Sequence, residues 1–445
     1  MIPVRSRVGF VSALVSVAVG ASLFAVAFRA GLAWWYRAVF IEDNVVAAIV
    51  GLPWWLRVAV PTAGGFAAGL VARWRRATAQ GVSNVMEAVV LGRVTLSLRT
   101  TASRVTSSAV AIASGMSIGR EGPLVEFGGS LGAAIGRRFR VSLDDTRVLV
   151  ASGTAAGFAA AYNTPFAAVL FVLETIIGIA TPTAMLPTMA ATVIATLITR
   201  SLVGTGPIYG QRAFDVRAVI DVWWLLILGA VAALVATGFK WLLGRAEELA
   251  ERVFERQPWR ATIGGLVVGL LAIWLPGVAG NGYEPLNQIL NHQLLTTAVA
   301  LLLVAKIVAT SASVASGVPG GIFTPMLLVG AATGSLWAQF VTWLSPSIGP
   351  DAGAYALVGM AATTAASIHA PLTAAVLVFE LSGDYAMVLP LILATAVSTS
   401  LSRAIGGESV YESELRRRGL GWELTLEGRE IEQRPTPSVT LPPHG

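Results

Sequence analysis

Ser114-Gly-Met-Ser-Ile-Gly-Arg-Glu-Gly-Pro123 and Ser316-Gly-Val-Pro-Gly-Gly-Ile-Phe-Thr-Pro325 decide how the chain is read. Set against each other at an offset of 202 residues, they share the serine, the glycines at 115/317 and 119/321, and the final proline. The register continues, with Gly128 and Gly132 falling on Gly330 and Gly334, a small-xxx-small face that lets helix backbones approach closely. A second match, at an offset of 206, sets Gly153–Glu174 on Gly359–Glu380 and brings Asn163 onto His369, Pro165 onto Pro371 and Glu174 onto Glu380. Two matches in one order make the chain two homologous halves, about 1–215 and 216–415, with a tail over 416–445.

Composition says what surrounds these halves. Of 445 residues 55% are hydrophobic and 13% charged, where soluble domains carry about 25% charge. This excludes a soluble enzyme and a disordered chain, and the lack of cysteine excludes thiol chemistry and a disulfide scaffold. The net charge of +6 fits basic loops on the cytoplasmic face of a membrane better than nucleic-acid binding. Arg5 and Arg7 precede an apolar run from Val8 to Phe28, too long for a signal-peptide core and long enough to cross a bilayer. It reads as a retained first membrane helix with its basic flank in the cytoplasm.

Val219–Leu243 and Leu294–Ala315 are also of full spanning length. Leu124–Ile135, Pro165–Ile176, Met326–Trp337 and Pro371–Leu381 read as shorter pieces between glycines or prolines. Short helices in a membrane are broken or re-entrant, and their free ends must face protein or water because lipid satisfies no backbone group. That is the architecture of channels and transporters, often built from inverted repeats with the site at their interface. The predicted fold class is therefore an all-α integral membrane protein of two homologous halves with broken and re-entrant helices, and parallel and inverted repeats look alike in sequence.

Enzymatic constellations are missing. There are three histidines, His292, His369 and His444, and no HExxH, Walker A or Gly-x-Ser-x-Gly motif. His369 stands where the other half has Asn163, which reads as a hydrogen-bonding loop residue. Gly119-Arg-Glu-Gly-Pro123 differs, because it opens a helix near Pro123, and a helix N-terminus offers unpaired N–H donors and a partial positive charge. Glu121 places a carboxylate there, at a depth where an ionisable group is functional by default. The alternatives are a pair with Arg120 or a plain N-cap. The repeat mate of Glu121 is Phe323, so one half supplies a competing carboxylate and the other only backbone donors.

Taken together, the two motifs resemble the second and third signature motifs of the CLC chloride channel and chloride/proton exchanger family, over about residue 10 to Leu415. The resemblance implies inverted halves, a homodimer with one anion path per subunit, no cofactor, and chloride or a similar small anion as cargo, with protons as a second one in an exchanger. Glu121 matches the family's gating glutamate. Ile322 and Phe323 match the backbone donors to the central anion, with Gly119, Arg120, Gly122 and Gly321 completing that set. Tyr411, by residue type alone an interfacial aromatic, matches the inner-gate tyrosine.

Two positions depart from the family pattern. The first signature motif usually reads Gly-Ser-Gly-Ile-Pro; here the segment is Ala79-Gln80-Gly81-Val82-Ser83, with Gln80 at the serine position, which opens nitrate or another halide as cargo. Exchangers commonly carry an internal glutamate where this chain has Thr175, directly after Glu174. Glu174 and Glu380 are duplicated, so both read as capping or pairing residues that each need a partner. The resemblance leaves an anion/proton exchanger and a gated channel as the main readings, and an intramembrane enzyme or sensor as a remote one. Both termini are expected in the cytoplasm of a cell-membrane protein, and the tail is too short for the paired CBS domains some members append.

Overall fold

The computed structural model describes residues 4–74, 81–92, 96–178, 181–206, 209–210, 218–253, 258–347, 349–425 and 428–433. The first half holds α1 (Val4–Phe40), α2 (Val45–Gly51), α3 (Trp54–Trp74), α4 (Val82–Val90), α5 (Leu98–Ala113), α6 (Glu121–Phe139), α7 (Leu143–Tyr162), α8 (Pro165–Leu170) and α9 (Pro182–Val203). The second holds α10 (Ala218–Val253), α11 (Trp259–Trp274), α12 (Tyr283–Leu290), α13 (Thr296–Ala315), α14 (Phe323–Leu344), α15 (Ala352–Ile368), α16 (Pro371–Ser382), α17 (Val388–Gly406) and α18 (Val410–Arg417). Among the described residues seven helical stretches are long and apolar enough to span a membrane, and four apolar helices are shorter. Exposed tryptophans stand near helix ends, among them Trp54, Trp223, Trp274 and Trp343, as interfacial anchors do.

Local chemistry sets the corners. The Ser142 hydroxyl accepts the Asp145 N–H at 3.1 Å to start α7, and the Asp351 carboxylate accepts the Gly353 N–H at 2.8 Å to start α15. Both helices end in a left-handed residue, Asn163 (φ 57°) and His369 (φ 56°). Two residues on, Pro165 and Pro371 open α8 and α16 from the first-turn position where a missing N–H does no harm. α8 widens at Phe171–Ile177 into a π-helical turn.

Buried residues cover almost all of α15 and most of α7, as expected of helices apolar all round and enclosed by others. α6 packs on α7, and α14 on α15, through glycine crossings. A Cβ on Gly128 would lie 2.0 Å from the Gly153 carbonyl oxygen, and one on Gly330 2.4 Å from that of Gly359. These glycines do not break their helices: α14 runs for 22 residues, well beyond the expected Met326–Trp337, because its glycines serve close packing rather than termination.

Reciprocal contacts mark the pseudo-two-fold between the halves. Gly119 and Gly321, repeat mates, exchange hydrogen bonds in an antiparallel bridge (N–H to O at 2.6 and 2.8 Å), so their chains run in opposite senses. The duplicated glutamates are swapped. Glu174 accepts the N–H groups of Leu372 (3.2 Å) and Thr373 (2.8 Å) at the start of α16. Glu380 accepts those of Phe166 (3.2 Å) and Ala167 (2.8 Å) at the start of α8. The partners expected for both carboxylates are thus the helix N-termini of the opposite half.

The departure from an all-helical chain lies after α18. There β1 (Leu420–Thr425) and β2 (Gly428–Gln433) pair as an antiparallel hairpin, with β2 against α4. That part of the tail is therefore folded back toward the helices. Since Glu174 and Glu380 join the halves, Glu174→Gln and Glu380→Gln should each lower folded stability by about 1–3 kcal/mol through loss of charge-assisted bonds. Thermal unfolding followed by size-exclusion chromatography in detergent checks this; unshifted midpoints would contradict it.

Candidate functional site

The α14 N-terminus presents free N–H groups deep in the protein, and Glu121 satisfies them. Its carboxylate accepts the Thr324 N–H at 3.0 Å and the Thr324 hydroxyl at 3.1 Å, with the Phe323 amide as a further donor. The carboxylate also takes its own backbone N–H at the start of α6, so it joins the two helix starts, and its bonds to the other half go to α14. The Thr324 hydroxyl also meets the Tyr162 hydroxyl at 2.8 Å. Glu121 is 4% exposed, and the low-dielectric surroundings strengthen each of these bonds.

Below the carboxylate lies a cavity of ≈ 90 Å³. Glu121, Gly122, Gly321, Ile322, Phe323 and Tyr411 line it together, so six of the residues singled out from sequence meet on one wall. Phe323 is held by an aromatic cluster with Phe158 (5.4 Å, edge to face), Tyr162 (5.9 Å) and Phe171 (6.3 Å). Tyr411 is positioned by α18, which opens on a capping box: the Ser409 hydroxyl accepts the Glu412 N–H and the Glu412 carboxylate accepts the Ser409 N–H.

Other expected residues fall elsewhere. Gln80 lies outside the described residues, although its neighbour Gly81 lines the cavity. Gly119 is off the cavity wall, and its N–H and that of Gly321 are spent on each other, so neither amide is a donor to an anion. Their smallness is what matters, since a Cβ at Gly119 or Gly321 would lie 2.0 or 2.4 Å from Glu121 Oε1. Arg120 is the N-cap of α6, off the cavity wall and in the electrostatic field of Arg29 and Glu284. Thr175 lies in the π-helical turn, buried and off the cavity wall, and its hydroxyl has no hydrogen-bond partner among the described residues.

Sequence reasoning missed Thr324 and Tyr162, whose roles depend on contacts across the repeat. It also missed a buried ion pair, Arg104–Glu126, on the same cavity. A signal for that pair was present: Glu126 is a second carboxylate in an otherwise apolar stretch.

Inverted helix termini meeting over a buried cavity define a polytopic membrane transport protein. The chain belongs to the voltage gated chloride channel family, whose profile matches residues 63–403. A putative chloride channel protein ClcB-like of Ralstonia nicotianae is 38% identical over 405 residues, covering 89% of this chain and 94% of the relative. An H(+)/Cl(-) exchange transporter ClcA of Vibrio campbellii is 32% identical over 340 residues, 74% of this chain and 70% of its own. A solved slow cyanobacterial Cl−/H+ antiporter shares the fold, with a TM-score of 0.82 at 23% identity over 94% of this chain and 99% of its own.

Gly321→Ala must push the carboxylate off the α14 terminus, because the backbone there tolerates alanine while the new methyl occupies its place. A structure of the variant should show Glu121 in another rotamer, and an unmoved side chain would contradict the steric argument.

Proposed function

We propose that the chain carries chloride or a similar small anion across a cell membrane, and that Glu121 gates the path by competing with the anion for the α14 N-terminus. The single observation that carries this reading is the Glu121 carboxylate on the Thr324 and Phe323 donors. A carboxylate oxygen and a dehydrated anion want the same amides, because a helix N-terminus binds either. In the cavity below, the Ile322 and Phe323 backbone and Tyr411 hold the anion when Glu121 leaves. Both a relative named as a channel and one named as an exchanger support anion transport.

Protonation is the natural trigger. A neutral carboxylic acid is a weaker acceptor than a carboxylate, so a proton on Glu121 loosens its hold on α14 and frees the terminus. The opening variable is then acidity, and a proton that travels with the side chain makes the protein an exchanger. The working unit in this reading is a homodimer with one path per subunit and both termini in the cytoplasm. Exposed apolar side chains on α8, α9, α16 and α17, among them Phe166, Leu186, Leu372 and Leu389, offer the second copy a face.

In proteoliposomes, anion efflux should rise as pH falls. Glu121→Gln should flatten that dependence and abolish proton movement, because glutamine neither binds a proton nor carries charge in this range. Proton movement unchanged in Glu121→Gln would sink the assignment.

A further inference from the structure

A gate that takes protons from the cytoplasmic side needs a donor beneath it, and Thr175 has no titratable group. We propose that Glu126, held by Arg104, is the internal proton donor and acceptor for Glu121, and that Glu414 relays protons to it from the cytoplasmic mouth of the cavity. The inference rests on the reading of Glu121 as a proton-bearing gate and adds the group that serves it.

The cavity under Glu121 is lined by three further carboxylates, Glu126, Glu247 and Glu414. Their side chains are graded in exposure: 2% for Glu126, 16% for Glu247 and 27% for Glu414. Glu126 follows Glu121 by five residues on α6, roughly 7.5 Å along the axis. The charged and polar groups that face it come from every neighbouring element. Arg104 of α5 pairs with it, Asn84 of α4 donates to it, and Glu414 of α18 acts on it electrostatically. The Asn84 oxygen in turn accepts from Arg418 (3.0 Å), Arg418 pairs with Glu414, and the Ser83 hydroxyl donates to Glu414 at 2.7 Å. Arg417 pairs with Glu247 on the remaining side. A hydrogen-bonded network thus ties the partly exposed Glu414 to the buried Glu126, and both share with Glu121 a cavity with space for a few waters.

Charge balance explains why Glu126 is paired rather than bare. Arg104 and Glu126 are together neutral, and a proton on Glu126 alone would strand a buried cation. An anion entering the cavity, whose wall Arg104 shares, offsets that cation, so one anion and one proton enter with no change in buried charge. In the transfer, the O–H bond on Glu126 breaks and one forms on Glu121, through cavity water. Glu126 returns to its carboxylate on Arg104, and Glu121, now neutral, leaves the α14 amides. Glu414 then gives its proton to Glu126 through the same cavity water, its O–H bond breaking as one forms on Glu126, and a hydronium ion at the cytoplasmic mouth reprotonates Glu414.

The test is simultaneous recording of chloride efflux and pH in proteoliposomes. Glu126→Gln should lower the protons moved per anion about tenfold or more, the scale of a lost acid–base group, whatever the anion flux itself becomes with Arg104 left unpaired. Glu126→Asp should restore part of the ratio, which a purely structural role would not require. If Glu126→Gln fails to fold, the paired replacement Arg104→Met with Glu126→Gln removes both charges together and is read the same way. An unchanged proton-to-anion ratio in either variant overturns the proposal. So does a wild-type protein that moves no protons, while a pH dependence of anion flux that Glu121→Gln removes would leave the gate reading intact.

Discussion

Everything in this molecule hangs on unsatisfied N–H groups at a helix start inside a membrane. Lipid offers them no acceptor and burial makes each one expensive, so the protein must supply an anion or a carboxylate. It brings the α14 terminus against the start of α6 by pairing Gly119 with Gly321, and this juxtaposition fixes where Glu121 can reach. The glycines give the carboxylate room, the aromatic cluster around Phe323 fixes the terminus, and the cavity gives an ion somewhere to go.

The two halves are alike in backbone and unlike in charge. Where the first half has Glu121 the second has Phe323, so one terminus brings a carboxylate and the other the backbone donors that it meets. At Glu174 and Glu380 the symmetry is kept, both carboxylates being fully engaged at helix starts. The same chemical pairing, a carboxylate on backbone amides, thus recurs three times. At two of these sites the carboxylate is duplicated in both halves, and at the third, beside the cavity, it has no counterpart in the other half.

Much of this was legible in the sequence because it depends on local patterns. The repeat, the helix-opening prolines at 165 and 371, and the glycine faces all come from residue type and spacing. The repeat already set Glu121 against Phe323, whereas Tyr411 was legible only through resemblance, since 290 residues separate it from Glu121 and no periodicity links them. What stayed hidden was contact across the pseudo-two-fold. Sequence placed Gly119 and Gly321 among the anion-binding residues, yet their N–H groups are spent on each other's carbonyls, and it placed Arg120 beside the anion where the structure has it off the cavity wall. The hairpin after α18 was missed because so short a polar stretch shows too little alternation to stand out.

The exchange of Glu174 and Glu380 between halves also bears on how the protein is made. The first N–H groups of α8 find their acceptor 214 residues later in the chain, so the first half leaves the ribosome with a helix end still open. Its final packing needs the Glu380 carboxylate that α16 brings. Two copies of a single half, arranged about the same axis, would make the identical exchange between separate molecules. The fused chain keeps as an internal bond what a pair of half-length proteins would use to recognise each other.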